Sequence, residues 1–336
     1  MIREYFKLAR LSIAPLTGLA PVMGAIATGQ YQILYLFILF LIGILVHSYG
    51  MTHNDIIDYT IDKKIKNFID RPLVSGTITK LKAWIFAFGC LVVLFVFATY
   101  IAISNQHYIS IIFLLITVVC VTLYNLTSKK IPLADSFLAL GMFFFILYGA
   151  IVQISYINDL PFLVWIICLL GAIQIFLLNV IAGGFKDIEN DALQGANTLA
   201  VRLGLHIDKK KLYIPSSFKL IAYTIQLFNI FIAYLPFLYN SNFASPITFR
   251  YTLITLISII SIFVILLLKK YLNLLNFERA TIRKLINLYG YINFTFAPIL
   301  LMTINSYAIL IIIIPGFGFL LYNILFHEKF MEPSNM

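Results

Sequence analysis

Apolar stretches of near twenty residues alternate with short polar segments along almost the whole of this sequence. They fall at about 11–29, 32–51, 83–103, 108–126, 133–153, 161–182, 217–239, 250–268, 285–303 and 307–326. A helix of roughly 20 apolar residues crosses a ~30 Å hydrocarbon core. Membrane β-barrels would show alternation over segments of ~10 residues instead. The pattern therefore predicts an all-α integral membrane protein, a bundle of nine to ten transmembrane helices.

Composition sharpens this reading. Of 336 residues, 61% are hydrophobic and 11% charged, with a mean hydropathy of +0.96. Soluble domains carry about 25% charged residues. The net charge of +10 raises nucleic acid as a partner, but the placement of the charge argues against it. With the N-terminus in the cytoplasm, the basic residues crowd the N-terminus and the segments after the second, fourth, sixth and eighth spans. Of 24 Lys and Arg, only Arg250 falls at an outer end. That is the positive-inside pattern, and it predicts a multi-pass cell-membrane protein with both termini cytoplasmic. Cys90, Cys120 and Cys168 lie inside apolar runs and show no disulfide or metal spacing. The five histidines, His47, His53, His107, His206 and His327, form no pair at ligand spacing. They read as polar helix-end residues.

Two polar segments carry unusual acid patterns. NDIIDYTID, Asn54 to Asp62, places Asp55, Asp58 and Asp62 at i, i+3 and i+7, which share one helix face. KDIEND, Lys186 to Asp191, places Asp187 and Asp191 at i and i+4, with Glu189 turned elsewhere. Six of the chain's 14 acids lie in these two stretches, each at the end of an even-numbered span. Acids so crowded repel one another and need a cation between them. A solvated helix end is the bland alternative; the repetition of the pattern speaks against it. Mg²⁺ is the natural ion, because it takes oxygen ligands and shares them with substrate phosphates. Basic neighbours, Lys64, Arg71, Lys186 and Arg202, suit a diphosphate clamped by cations. A lipophilic substrate would then be served from the membrane.

The two motifs are four spans apart, and each is followed by a basic segment with a Gly-containing turn. The chain therefore reads as one transmembrane domain, residues 1–336. It would contain two pseudo-repeated four-helix halves, about 1–130 and 131–270, and extra C-terminal helices at about 285–326. Repeats of this kind place a site at their interface, here expected around a central cavity.

NDIIDYTID resembles the N-D-x-x-D-x-x-x-D signature of the UbiA superfamily of intramembrane prenyltransferases. DIEND followed by GANTLAVRLG resembles that family's second D-x-x-x-D motif with its trailing segment, and RPLVSGTIT its R-P-x-x-S-G stretch. The resemblance runs from about Arg10 to Gly290. It implies Mg²⁺ dependence and a prenyl diphosphate donor. By motif position it gives Asn54, Asp55, Asp58 and Asp62 to one metal site and Asp187 and Asp191 to a second. Asp58 and Asp187 are the acids whose loss should abolish turnover. Tyr124 and Lys129 resemble the family's Y-x₄-K pattern, and Arg10 a basic residue common in its first helix. The family usually has nine spans where this sequence suggests ten.

The family implies several acceptors, with an aromatic quinone precursor as the leading expectation. Geranylgeranyl transfer to a glycerol-phosphate lipid is the alternative. A transporter would place its acids near the bilayer midplane, unlike these helix-end clusters. A membrane alcohol-phosphotransferase would carry a D-G-x-x-A-R signature that this sequence lacks.

The charge pattern makes a direct prediction. Single cysteines at Lys66 and Lys209, in a background without the native three, stay unlabelled by an impermeant thiol reagent in sealed right-side-out vesicles. Labelling of one site alone from outside would place the motifs on opposite sides.

Overall fold

The computed structural model describes residues 2–65, 68–154, 156–241 and 243–326, so Lys66, His327 and the tail lie outside the described residues. The chain is mostly helical. In order it forms α1 (Ile2–Leu8), α2 (Ala14–Ala27), α3 (Ile33–Asp62), α4 (Lys80–Asn105), α5 (Ser110–Thr127) and α6 (Asp135–Ile151). Then come α7 (Phe162–Leu177), a π-helical segment (Leu178–Gly183), α8 (Gly184–Gln194) and α9 (Leu199–Arg202). A short antiparallel hairpin, β1 (His206–Asp208) and β2 (Lys211–Tyr213), leads to α10 (Ser216–Tyr239) and α11 (Ile247–Tyr271). The chain continues through α12 (Arg279–Phe294), α13 (Phe296–Leu301) and α14 (Ile313–Phe326).

Six helices, among the described residues, are long and apolar enough to cross a membrane. They cover the expected second, third, fourth, sixth, seventh and eighth spans, the sixth running unbroken from α7 into α8. The first and fifth spans appear as shorter apolar helices, and the last begins as a 3₁₀ turn over Ser306–Ile312. The expected ninth span is divided. α12 starts at Arg279, well before residue 285, and stops at Phe294, and α13 follows after Thr295.

The chain divides into two compact units. The first comprises residues 1–126, 144–160 and the stretch from 309 onward; the second comprises 127–143 and 161–308. Within the first, α2, α3 and α4 pack in sequence order. Small residues let backbones approach closely, which is how membrane helices pack without a hydrophobic driving force between them. A Cβ on Gly24 would sit 1.9 Å from the Ile146 carbonyl oxygen, and one on Gly149 only 1.8 Å from that of Pro21. α3 is 30 residues long, about 45 Å at ~1.5 Å per residue. That exceeds a ~30 Å core, so α3 has turns to spare beyond a minimal crossing.

Within the second unit, α7 packs on α10 and α11 on α12. A buried polar knot ties α10 to α12. Gln226 Nε2 and Asn229 Nδ2 both donate to Asn293 Oδ1, at 3.1 Å each, and the Tyr289 hydroxyl donates to Gln226 Oε1. Gln174 on α7 donates to the Gly290 carbonyl at 3.0 Å. The segment before α12 runs beside the hairpin: Leu212 N–H donates to the Leu275 carbonyl and Phe277 N–H to that of Lys210, both at 2.8 Å.

Candidate active site

The first acid set lies wholly in the first unit. Asp55 and Asp62 are buried, at 4% and 5% exposure, and Asn54 and Asp58 half-buried. A buried charge without a partner costs several kcal/mol, and here arginines from other elements supply the partners. Arg10 sits in the turn between α1 and α2 with φ of +46°, and its Nη2 donates to Asp55 Oδ1 at 2.6 Å. Arg71 bridges the set: its Nη1 lies 3.7 Å from Asp55 Oδ1 and donates to Asp62 Oδ2. One guanidinium reaching both confirms that positions i and i+7 share a face. The local sequence explains why Arg71 is held there. Pro72 follows it, its carbonyl accepts from Ile78 N–H and Thr77 Oγ1, and Gly76 takes a positive φ of 77°. The Phe68 ring supports the guanidinium from 3.6 Å.

The second acid set lies wholly in the second unit. Asp191 is 3% exposed, and Lys129 Nζ donates to its Oδ1 at 2.7 Å. Asp187 has a more open side chain, 30% exposed, with Lys186 Nζ at 3.6 Å and Arg279 Nη2 at 3.5 Å. Glu189 is exposed on another face. The segment after α8 fixes Lys129: Ala196 N–H donates to the Asp191 carbonyl, and Asn197 N–H to the Lys129 carbonyl, both at 2.9 Å. Gly184 opens α8 where an added Cβ would meet Ala200 Cβ at 2.6 Å. Above α8, the π segment widens the turn and shifts the register. One residue of shift rotates the following face by about 100°. The Tyr271 hydroxyl reaches the carbonyls of Ile181 and Ala182, at 3.5 and 3.4 Å, within that segment.

The profile of the UbiA prenyltransferase family matches residues 14–274, most of the chain. The chain belongs to the UbiA prenyltransferase family. It is a multi-pass membrane protein and a prenyltransferase, as the resemblance of its motifs implied. It is 30% identical over 208 residues to the digeranylgeranylglyceryl phosphate synthase of Sulfolobus acidocaldarius, covering 60% of this chain and 70% of that one. To the digeranylgeranylglyceryl phosphate synthase of Methanosarcina mazei it is 28% identical over 220 residues, 60% of this chain and 72% of the other. Its fold is similar to that of a UbiA homologue from Archaeoglobus fulgidus solved with DMAPP and Mg²⁺, at a TM-score of 0.64 and 15% identity, over 90% of this chain and 99% of that one.

The remaining candidates of this UbiA-family protein are placed as follows. Tyr124 is half-buried near the end of α5, Lys64 lies on the exposed turn after α3, and Arg202 ends α9 exposed. Among the described residues, neither Lys64 nor Arg202 lies within ion-pair distance of an acid. His53 is a buried helix residue, bonded through Nδ1 to Asn125 at 3.0 Å and stacked on Tyr49. Arg279 and Tyr271 were not singled out from the sequence. Both lie in or beside the polar stretch that ends at Lys284, and only the fold brings them to α8.

Mg²⁺ fits these residues. The acids offer oxygen donors alone, and among the described residues no three of them converge into a closed cage. Mg²⁺ is ordinarily held by one or two carboxylates plus substrate phosphates, which is what each set can supply.

The Arg71–Asp62 pair is testable by itself. With the side chains 15% and 7% exposed, Arg71→Gln alone should lower unfolding stability in detergent by about 3–5 kcal/mol, since it leaves the buried Asp62 carboxylate unmatched. Adding Asp62→Asn should restore ~0.5–3 kcal/mol of that loss. Strictly additive losses would mean the two side chains do not interact.

Proposed function

We propose that this protein transfers a geranylgeranyl group from geranylgeranyl diphosphate to a hydroxyl of a glycerol-phosphate lipid. The observation that carries the acceptor is the shared name of the two relatives, both digeranylgeranylglyceryl phosphate synthases and each matched over more than two thirds of its length. A product with two geranylgeranyl groups on glyceryl phosphate follows from one such transfer onto a singly prenylated substrate. The aromatic acceptor, the leading expectation from the motifs, has no comparable support. The donor is supported by the acid and cation sets and by the prenyl diphosphate and Mg²⁺ bound to the Archaeoglobus fulgidus homologue.

In the proposed reaction the C1–O bond to diphosphate breaks and an ether C–O bond forms to the acceptor hydroxyl. The hydroxyl proton leaves with the diphosphate. Mg²⁺, when bound, offsets the charge that grows on the departing group. Asp55, Asp58 and Asp62, with the neutral oxygen of Asn54, would hold one ion, and Asp187 and Asp191 another. The cations paired with these acids, Arg10, Arg71, Lys129 and Lys186, would also serve diphosphate oxygens. Arginine suits bidentate phosphate contact, and lysine acts as a compact charge. By motif position Lys64 and Arg202 would add charge for the donor, and Tyr124 would be a catalytic residue. The acid sets face the cytoplasm in this reading, as the distribution of Lys and Arg supports.

Purified protein is assayed with labelled geranylgeranyl diphosphate against geranylgeranylglyceryl phosphate and an aromatic carboxylate acceptor. Label should enter the glycerol lipid, and excess chelator should stop it. Asp58→Ala and Asp187→Ala should each fall to background while remaining folded. Activity within about threefold of the parent protein, under 1 kcal/mol of barrier, would remove that acid from the site. Preference for the aromatic acceptor would overturn the lipid assignment.

A further inference from the structure

We propose that Arg279 is a diphosphate-binding residue of the second acid set, one that no motif of the sequence announces. The inference rests on the prenyl diphosphate donor proposed above and assigns a further contact to it. Arg279 lies after residue 274, where the match to the family profile ends.

Three observations carry it. First, the pair it forms is open. Arg279 Nη2 stands 3.5 Å from Asp187 Oδ1, with side chains 18% and 30% exposed. That distance is at the outer edge of hydrogen bonding. Lys129 and Asp191, by contrast, are closed at 2.7 Å over a carboxylate only 5% exposed. The guanidinium is thus held beside the more open acid of the set, in reach of a ligand that approaches it.

Second, the helix that presents Arg279 is anchored. α12 is tied to α10 through Asn293 and Tyr289, and to α7 through the bond from Gln174 to the Gly290 carbonyl. A Cβ on Gly290 would meet Leu178 at 2.7 Å, so α12 rests directly on the first residue of the π segment. The stretch before α12 is pinned to the hairpin by the Phe277 and Leu212 bonds. Arg279 is therefore placed by its surroundings rather than left to sample solvent. Its acidic neighbour Glu278 accepts from Thr281 Oγ1 at 2.6 Å, which turns that carboxylate toward its own helix.

Third, the charge suits an anion. Arg279 is the first residue of a 16-residue helix, where the helix dipole and the open N–H groups favour negative ligands. The first acid set has two arginines for its buried acids, and Arg279 stands beside the more open acid of the second. Its planar fork matches phosphate oxygens.

The test is binding, so it does not depend on turnover. Purified protein in detergent is titrated by calorimetry with geranyl diphosphate, and with inorganic diphosphate, in saturating Mg²⁺. Arg279→Gln should weaken both by about 10- to 100-fold, the loss expected for a charge-assisted hydrogen bond. Arg279→Lys should fall between, keeping the charge without the fork. The unfolding midpoint of the ligand-free variants should stay at the parent value. Parent-like affinity in Arg279→Gln, with the parent protein binding well, would overturn the role of Arg279 and leave the donor reading standing. Lys and Gln variants equally weak, with lowered midpoints, would make Arg279 a structural residue and also overturn it. Absence of binding by the parent protein would remove the donor reading and this inference together.

Discussion

Carboxylates placed at the ends of apolar helices cannot be left unmatched, and much of this fold answers that constraint. Desolvating an ion costs several kcal/mol unless a counter-charge is fixed beside it with good geometry. Asp55, Asp62 and Asp191 are nearly as buried as core leucines. Each is met by a cation from outside its own helix: Arg10 from the turn before α2, Arg71 from the loop after α3, Lys129 from the loop after α5. The loops that bring these cations are themselves specified. Pro72 and Gly76 shape one of them, and Asn197 holds another through the Lys129 carbonyl. In the proposed reaction the same cations would serve phosphate oxygens once metal takes the carboxylates.

The helical class and the acid sets were legible in the sequence for simple reasons. Span length follows from the thickness of a bilayer, and acids at i, i+3, i+4 and i+7 follow from the pitch of a helix. The family resemblance added the prenyl group to a diphosphate that the acids and their basic neighbours already suited. Arg10 and Arg71 read as diphosphate-binding residues and Lys129 as a catalytic one; the structure sets each against a buried carboxylate. What stayed hidden depends on contacts between elements. The π segment has no residue signature, yet it sets the direction of Asp187 and Asp191 relative to α7. The division of the 285–303 stretch at Thr295 reads as one apolar run because both pieces are apolar. Arg279 sits in a polar stretch whose composition resembles any cytoplasmic loop, and only the packing of α12 against α7 and α10 gives it meaning.

Helix packing and site chemistry are joined in the second unit. The knot of Gln226, Asn229, Tyr289 and Asn293 is costly to bury unless satisfied, and it ties α12 to α10. Tyr271 spans from α11 to the carbonyls of the π segment, and the Phe185 and Tyr271 rings lie 4.3 Å apart. Through these contacts the π segment and the start of α8 are packed against α11 and α12. Such support is what a site needs if carboxylates are to hold metal at short, fixed distances.

The proposed function makes both acid sets metal sites whose basic partners serve the diphosphate. A structure determined with Mn²⁺ and geranylgeranyl diphosphate, using the anomalous signal of the metal, separates the possibilities. Peaks are expected at Asp55, Asp58 and Asp62 and at Asp187 and Asp191, with the basic partners of these acids turned to phosphate oxygens. Metal bound away from these acids, or diphosphate bound with every ion pair intact, would contradict it.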